Sequence, residues 1–274
     1  MEKSMQRIFD ILKAHGAADV ASLSISDCEI INEKLIQRLE FTPQSVIIAT
    51  VPYYTLYCDR PSTVSSYALA NDYHLLFKEI ENASFSKINE LFPGFNFKFF
   101  GDHSPINEKD AAAKAGLGII GNNQLLITGK HSSFVFLFEI ITDMPTCATA
   151  KEIEHCIGCN KCISACPTFL RGIGDCLSSV TQKKGDLSEN ERRLILEYET
   201  VWGCDICQRV CPYTQKALKT RTIYSELEWF NTNIILEPDS ESVNNEADFA
   251  KRAYSWRGKN TILRNINILN GKKR

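Results

Sequence analysis

CIGCNKCISACP at residues 156–167 and CDICQRVCP at residues 204–212 are the stretches that decide how this chain of 274 residues folds. Both stretches end in Cys-Pro, and a single Cys176 lies between them. Together with Cys176, the two stretches hold eight of the eleven cysteines in the chain. Cysteines that recur at such short, repeated intervals are typical of a metal-binding segment.

The first stretch has the spacing C-x2-C-x2-C-x3-C-P of bacterial ferredoxins, in which the fourth cysteine of each run binds the cluster of the other run. The second stretch keeps C-x2-C-x3-C-P, with Cys176 as its displaced first member. This crossed rule predicts two [4Fe-4S] clusters. Their ligands are Cys156, Cys159, Cys162 and Cys211 for one cluster, and Cys166, Cys176, Cys204 and Cys207 for the other.

Two other uses of these cysteines are weighed against the clusters. Paired C-x2-C elements also form four-cysteine zinc sites, although zinc does not require two C-x3-C-P endings. Disulfides are less favoured, because MEKSMQRIFD at residues 1–10 has no apolar signal-peptide core and a reducing cytosol keeps thiols free. Cys28, Cys58 and Cys147 have no spacing partner and are predicted to be small buried residues.

Composition and charge are those of an ordinary soluble globular protein. The chain is 44% hydrophobic and 23% charged, with a net charge of -2. Its length predicts two or more folding units. No apolar run approaches the roughly 20 residues that cross a bilayer, so we expect a cytoplasmic protein without membrane contact.

Positive charge is concentrated at residues 251–274, which contain eight Lys or Arg and no Asp or Glu. The preceding residues therefore carry a net charge of about -10. Basic segments attract phosphate backbones through counterion release, and they are also common as solvated surface. Charge alone leaves both interpretations open.

Residues 1–145 alternate between helical and strand patterns, which predicts an α/β domain whose ligands bind beyond the carboxyl ends of strands. Helices are expected over 2–15, with Met5, Ile8, Phe9 and Leu12 on one face, over 65–91, and from Ser104 as N-cap and Pro105 through Ala115. Strands are expected at 19–25, 44–54, 96–102, 124–128 and 134–141. Asp102 lies at the end of one of these strands.

Glycines in AGLGIIGNN at residues 115–123 do not follow a strand with the spacing of a dinucleotide site. They predict either a tight turn, with positive φ at Gly116, Gly118 and Gly121, or a backbone that a large flat cofactor approaches closely. The residues alone favour neither interpretation.

Together these motifs resemble the epoxyqueuosine reductase family, the corrinoid and iron-sulfur enzymes of tRNA queuosine synthesis that are related to reductive dehalogenases. The resemblance covers nearly the whole chain. It rests on ANDYH at 70–74, GDHSPINEKDAAAKAGLGIIGNNQLLI at 101–127, SSFVFLFEI at 132–140, CIGCNKCISACPT at 156–168, WGCDICQRVCPY at 202–213 and LRN at 263–265.

The fold that the resemblance implies is an α/β N-terminal domain of the α+β cobalamin-binding type over residues 1–145. A ferredoxin-like domain with two [4Fe-4S] clusters follows over 146–215, and a short helical, basic segment over 216–274. The chain resembles a short form, without the C-terminal helical repeats that help typical members to hold tRNA. Residues 251–274 are expected to replace some of those tRNA contacts.

The reaction that the resemblance implies is the removal of an epoxide oxygen from a modified wobble base of tRNA, which leaves an alkene. The clusters would pass electrons from an external donor, such as flavodoxin or ferredoxin, to cobalamin. Asp102 matches the proton donor of the family, and burial would have to raise its pKa for that role. From the residues alone, an Asx-turn before the helix is the favoured explanation of Asp102.

Cobalamin would be lined by the turn and strand around Leu126, Gly129 and Leu137, largely through their backbone. The cluster loop at Asp205 and Ile206 would face it from the other side. Where the family usually has Gly-Lys-Asn, this chain has Gly-Asn-Asn at 121–123, so a positive charge expected near the cofactor is missing.

Three other functions remain open from the sequence. One is a corrinoid reductase of another substrate. A second is a two-cluster electron-transfer protein without corrinoid, and a third is a zinc-stabilised module that binds nucleic acid.

Overall fold

A computed structural model of the chain describes residues 2–172 and 174–272. The chain forms two compact units: the residues up to Pro52 join Leu76–Cys159 in the first, and Tyr53–Leu75 join the residues from Asn160 onwards in the second. The domain boundaries predicted after residues 145 and 215 follow the sequence motifs. They stay a prediction. Across the described residues, no helix is both long and apolar enough to span a bilayer.

Antiparallel strands form the centre of the first unit. The strands are β1 Asp19–Ser24, β2 Ser45–Pro52, β3 Phe97–Phe100, β4 Ile119–Ile120, β5 Leu126–Ile127 and β6 Val135–Thr142, and the helices are α1 Glu2–Ala14, α2 Glu33–Gln37, α3 Tyr73–Leu91 and α4 Glu108–Lys114. One sheet has the order β1-β2-β6-β3, and β4 pairs with β5 in a separate ribbon. All pairings are antiparallel. The rule that ligands bind beyond the carboxyl ends of parallel strands therefore does not explain the position of Asp102.

Both faces of the sheet are covered. Because side chains alternate along a strand, Val46 and Ile48 of β2 face the alanines of α4. Phe138 of β6 lies in an aromatic cluster with Phe77 of α3 and Phe99 of β3, at centroid distances of 5.5 and 4.8 Å. All eight residues of β2 are buried, as its continuous apolar run predicts.

Several local predictions are confirmed and others are wrong. Helix α1 buries Met5, Ile8, Ile11 and Leu12, with Phe9 half-buried. The next predicted helix begins at Tyr73 rather than at Ser65, because a short 3-10 turn occupies Ser66–Ala68.

The predicted N-cap Ser104 is wrong, since the side chain of Asn107 caps α4 by accepting from the Asp110 amide at 3.4 Å. Only one of three predicted glycines, Gly116 with φ 83°, has a positive φ. Gly118 is required for space instead, because an added Cβ would lie 2.5 Å from the Ile127 carbonyl oxygen. At Gly121 an added Cβ would lie 2.4 Å from Asn123 Oδ1.

The second unit is built from short helices. They are α5 Lys161–Ser164, α6 Leu177–Gln182, α7 Glu189–Glu197, α8 Ile206–Arg209, α9 Pro212–Lys219, α10 Ser240–Asn244, α11 Glu246–Phe249 and α12 Lys259–Lys272. Leu177 and Val180 of α6 pack against Leu194 of α7. Ile268 of α12 packs against Ile195 of α7, so the C-terminal helix completes this core.

The three cysteines outside the motifs differ in exposure. Cys58 is buried, as predicted, and Cys28 is half-buried. Cys147 is exposed, so its predicted burial is wrong. It follows β6 in an irregular segment whose neighbouring residues are mostly exposed as well.

Candidate functional site

The loop that carries Cys204 and Cys207 is fixed by the carboxylate of Asp205. Asp205 is 8% exposed and accepts hydrogen bonds from the Ser65 hydroxyl, the Ser66 amide at 2.7 Å and the Ser66 hydroxyl at 2.6 Å. A buried carboxylate needs such donors, because desolvation penalises its charge. Asp205 thus ties the cysteine loop to the segment Tyr53–Leu75 within the second unit.

Arg209, one turn after Asp205, strengthens the same connection. Its Nη2 lies 3.7 Å from Asp205 Oδ2 and donates to the Cys58 carbonyl at 2.8 Å and to Ser66 Oγ at 3.0 Å. The guanidinium also lies over the ring of Tyr54, 5.9 Å from its centroid. The planar head of arginine suits this combination of stacking and forked donation.

Gly203 allows the loop to pass close to the same segment. Its φ is +76°, and an added Cβ would lie 2.5 Å from Ser65 Cβ. The Gly203 amide donates to Thr181 Oγ1 at 2.9 Å, and its carbonyl accepts from Thr200 Oγ1 at 3.0 Å. The backbone just before Cys204 is therefore held on both sides.

Helix α12 fixes this loop from behind through Asn265. The side chain is fully buried, and its Nδ2 donates to the carbonyls of Thr181 and Val201, both at 2.8 Å. Trp202, which follows Val201, is also fully buried and donates from Nε1 to the Tyr67 hydroxyl at 2.6 Å. The predicted LRN motif thus acts as a support for the cysteine loop.

None of the eight predicted cluster ligands, all within the described part of the chain, forms a disulfide. Cys156 and Cys159 belong to the first unit, and the other six belong to the second. The Cys156 amide donates to the Ile120 carbonyl at 3.0 Å, and its Sγ lies 3.7 Å from Asn122 Oδ1. Cys211 is buried and caps α9, whose first residue is Pro212. One Cys-Pro ending therefore serves to start a helix.

Local hydrogen bonds and burial act in opposite directions on the thiols. Burial raises the pKa of Cys166, but hydrogen bonds from the Thr168 hydroxyl and from the amides of Phe169 and Thr168 outweigh it, so that pKa is lowered. Burial raises the pKa of Cys204 to about 12. Because a metal binds the thiolate, loading this cysteine must displace a proton.

Within the described ranges, no three His, Cys, Asp or Glu side chains converge on a site for a single ion. Four cysteines that bind a cubane each hold a different iron, so they do not need to meet at one point. The donor set, seven cysteine sulfurs in two runs together with Cys176, fits soft iron-sulfur chemistry.

A cavity of about 360 Å³ opens beside the cysteine loop within the second unit. Its lining includes Cys204, Asp205 and Ile206, together with Arg60, Ser62 and Tyr198. Ile206 is half-buried there. Both polar and apolar groups therefore reach this space next to a predicted cluster ligand.

A second chemical feature lies in the first unit, around Asp102. Asp102 is exposed on the loop after β3, with φ 70°. Its backbone amide donates to the carboxylate of Glu108, at the start of α4. Glu139 of β6 is fully buried beside Glu108, with the Ser104 hydroxyl close enough to lower its pKa slightly against the effect of burial. Three carboxyl groups therefore lie close together.

Burial and neighbouring negative charge raise the pKa values of Glu108 and Glu139. Burial, followed by the charge of Asp102, raises the pKa of Glu108 to about 7. Burial and the charge of Glu108 raise the pKa of Glu139 well above its ordinary value. The exposed position of Asp102 differs from the burial that its predicted role requires, whereas Glu139 is fully buried and Glu108 is half-buried.

The residues predicted to line cobalamin in the first unit differ in accessibility. The Leu126 side chain is buried in the core of the sheet, and Leu137 is half-buried against it. Gly129 is exposed, with no atom within 4 Å of an added Cβ. Their assignment to cobalamin stays a prediction, as does that of Asp205 and Ile206.

Most of the Lys and Arg side chains that the structure describes in residues 251–274 donate hydrogen bonds within the second unit. Arg252 is 6% exposed and donates to the Leu69 and Asn233 carbonyls. Arg264 donates to the carbonyls of Lys183 and Gly185. Arg257 donates to the Gln182 carbonyl, and Lys259 to that of Asn244. Lys273 and Arg274 lie outside the described residues.

Sequence reasoning missed Glu108, Glu139, Arg209 and the supporting role of Asn265. Glu139 left a signal, because it is the one ionisable residue in the apolar stretch FVFLFEII. The hydrogen-bond partners of Asp205 gave no signal in the sequence, because Ser65 and Ser66 lie about 140 positions away in the chain.

The chain matches the family model described as "4Fe-4S double cluster binding domain" over residues 155–214. It is 31% identical to the epoxyqueuosine reductase of Listeria monocytogenes, over 88% of this chain and 67% of that protein. It is 30% identical to that of Synechocystis, over 79% of this chain and 78% of that protein. It spans 58% of the relative from Pseudomonas aeruginosa.

Solved structures agree in fold. The epoxyqueuosine reductase of Streptococcus thermophilus is similar with a TM-score of 0.79 and 24% identity, over 97% of this chain and 80% of that chain. Another, solved with an epoxyqueuosine-modified tRNA-Tyr stem loop, has a TM-score of 0.74 and 20% identity, over 98% and 81%. With its cysteine runs and the identity to relatives over most of their length, the chain belongs to the epoxyqueuosine reductase family, whose members are oxidoreductases.

Proposed function

We propose that this chain reduces the epoxide of epoxyqueuosine in tRNA to the alkene of queuosine. The observation that carries the proposal is the identity of 31% with a curated epoxyqueuosine reductase over 88% of the chain. The held cysteine loop and the loop of Asp102 are the structural features that support it. A structural relative has been solved with the modified tRNA stem loop, which supports tRNA as the substrate.

The electrons would enter through two [4Fe-4S] clusters. We assign Cys156, Cys159, Cys162 and Cys211 to one cluster and Cys166, Cys176, Cys204 and Cys207 to the other, following the crossed rule. The match to a double-cluster domain supports the iron-sulfur assignment. The external donor would be a low-potential one-electron carrier such as flavodoxin or ferredoxin.

Cobalamin is the proposed cofactor at the substrate, where its cobalt would supply a centre that passes electrons to carbon. The open backbone at Gly129, where an added Cβ meets no atom within 4 Å, fits the close approach of a flat ring. Leu137 would add a half-buried apolar surface, and Leu126 would contribute through its backbone. In the second unit, Asp205 and Ile206 would contribute from the cysteine loop.

Asp102 would donate a proton to the departing oxygen. The hydrogen bond from its backbone amide to Glu108 supports this role because it holds the loop in place, and bound cobalamin and tRNA would supply the burial that the role requires. A relative from Bacillus subtilis has been solved with its catalytic aspartate loop swung out of the active site. The tRNA backbone would be contacted in part by residues 251–274, of which Lys251 is exposed.

The decisive experiment is turnover by protein reconstituted anaerobically with iron, sulfide and cobalamin, using tRNA that carries epoxyqueuosine. We expect queuosine among the digested nucleosides, detected by mass spectrometry. Asp102→Asn should lower kcat by about 10²-fold or more, the usual loss when a general acid is removed. Asparagine tolerates the left-handed backbone of this position, so the loop should keep its path.

Asp10→Asn, on the exposed face of α1, is the control and should turn over normally. Iron content and cobalamin absorption should match in both variants. Fully loaded protein that makes no queuosine would refute the proposed substrate. Normal turnover by Asp102→Asn would instead remove only the proposed proton donor.

A further inference from the structure

Removing an epoxide oxygen as water consumes more protons than one carboxyl can hold. Two C–O bonds break, one C=C double bond forms, and the oxygen leaves with two protons, while two electrons come from the one-electron donor through the clusters. Asp102 carries a single proton. The proposed reaction therefore needs a second proton source that can reach the same place.

We propose that Glu108 and Glu139 form a buried proton store behind Asp102, which returns a proton to the Asp102 carboxylate after its first donation. This inference rests on the proposed function. It assigns Glu108 two tasks, to position the Asp102 loop and to pass on the proton. Glu139 shares the stored proton with Glu108 and does not touch the substrate.

The sheet places these groups side by side. Glu139 of β6 lies directly opposite Phe100, the last residue of β3, and Asp102 follows two positions later. The chain then turns through Ser104 into α4, whose first residue is Glu108. The hydrogen bond from the Asp102 amide to the Glu108 carboxylate closes this turn.

The carboxyl pair lacks donors for most of its oxygen atoms. Glu108 Oε1 and both side-chain oxygens of Glu139 are buried without a well-formed hydrogen-bond partner, and Glu139 is 0% exposed. Two ionised carboxylates can only accept hydrogen bonds, so such a pair is stable only if one carboxyl is protonated and donates to the other. The geometry thus requires a proton between Glu108 and Glu139.

The cations near the pair do not outweigh its burial. The charge of Lys109 lowers the pKa of Glu108, but burial and the charge of Asp102 outweigh it, and Lys109 Nζ donates to the Gln124 carbonyl at 2.7 Å. Lys114 is paired with Asp110 at 2.9 Å. Cys28, on the segment after β1, is a neutral thiol because burial raises its pKa to about 12. After its first donation Asp102 is a carboxylate, and its negative charge favours the protonated pair.

Titration behaviour agrees with this geometry. A pKa of about 7 for Glu108 and a pKa of Glu139 well above its ordinary value keep a proton on the pair near neutral pH, where exposed carboxyls are ionised. A group with a pKa near the working pH both gives and regains a proton readily. The pair is therefore suited to reload Asp102 in each turnover.

Glu108→Gln and Glu139→Gln, in the fully reconstituted enzyme, test this relay. In the Glu108→Gln variant, the side-chain carbonyl oxygen can still accept from the Asp102 amide, so the loop keeps its position. We expect kcat to fall on the order of 10²-fold with KM unchanged. We also expect the alkaline limb of the wild-type pH profile to disappear in both variants. Glu90→Gln, exposed on α3, is the matched control and should behave as wild type.

Infrared spectroscopy gives a readout that does not depend on turnover. At about pH 6 the native enzyme should show the carbonyl stretch of a protonated carboxyl, and Glu139→Gln should lose it. Variants with wild-type kcat and an unchanged pH profile would overturn the relay, and so would the absence of that band in the native enzyme. If wild-type enzyme makes no queuosine, the proposed function fails, while the band still decides whether the pair stores a proton.

Discussion

Gly203 combines two constraints at one residue, a left-handed backbone and a close neighbour. Gly203→Ala should destabilise the second unit by more than the roughly 1–3 kcal/mol that a left-handed conformation costs. The reason is that its Cβ would also lie 2.5 Å from Ser65 Cβ. Chemical denaturation under anaerobic conditions measures the loss, and iron content after reconstitution should fall with it.

Gly185→Ala separates the two effects. Gly185 has nearly the same φ, +75°, but no atom lies within 4 Å of an added Cβ. It should show the cost of the backbone conformation alone. Equal losses at the two positions would mean that contact with Ser65 is unimportant.

Residue-scale prediction from the sequence was strongest where chemistry dictates spacing. The cysteine runs identify candidate ligands because a cluster demands thiols at fixed intervals. The sequence could not identify Glu108 as a site residue. Its role depends on the backbone amide of Asp102 and on Glu139 of β6, which lies later in the sequence.

Helix α12 should stabilise the cysteine loop mainly through one side chain. Asn265→Ala leaves the carbonyls of Thr181 and Val201 without this buried donor, at a cost of about 1–3 kcal/mol for each unsatisfied group. We expect a lower denaturation midpoint and faster loss of iron in air, followed by the decay of cluster absorption. Asn267→Ala, exposed on the same helix, should change neither. Indistinguishable variants would exclude α12 as a support of the loop.

Element prediction succeeded where periodicity and burial agree, as in α1 and β2. It failed at the start of α4, where Ser104 and Pro105 form a plausible local start signal. In the folded chain Ser104 Oγ accepts from the Ile106 amide at 3.4 Å, and Asn107 caps the helix, which begins at Glu108. A second cap residue three positions further on therefore sets the start of the helix.

At the scale of the whole molecule, the buried carboxyl pair makes stability depend on pH. Unfolded glutamates titrate near pH 4.3, whereas burial raises the folded pKa of Glu108 to about 7 and that of Glu139 well above its ordinary value. Between these values the native protein binds more protons than the unfolded chain. The free energy of unfolding should therefore fall as pH rises, by up to ~1.4 kcal/mol per pH unit for each extra proton.

Urea unfolding followed by far-ultraviolet circular dichroism measures this slope at a series of pH values. Glu139→Gln should flatten it, and Glu90→Gln should leave it unchanged. A free energy of unfolding that rises over the same range would contradict the protonated pair.

The grouping of residues into two units could not be read from motifs. Tyr53–Leu75 belongs with the residues from Asn160 onwards because of contacts such as Trp202 with Tyr67, which have no local pattern. Periodicity identifies an element, but it does not identify a partner so far away in the chain.

The grouping of Tyr53–Leu75 with the residues from Asn160 onwards also affects folding during synthesis. Ser65 leaves the ribosome about 140 residues before Asp205, the carboxylate that binds it. At about 5–20 residues per second, this segment waits roughly 7–28 s for its partner. During synthesis the first unit can close while Tyr53–Leu75 is still without its neighbours, and the predicted set of cluster ligands is complete only after translation has passed Cys211.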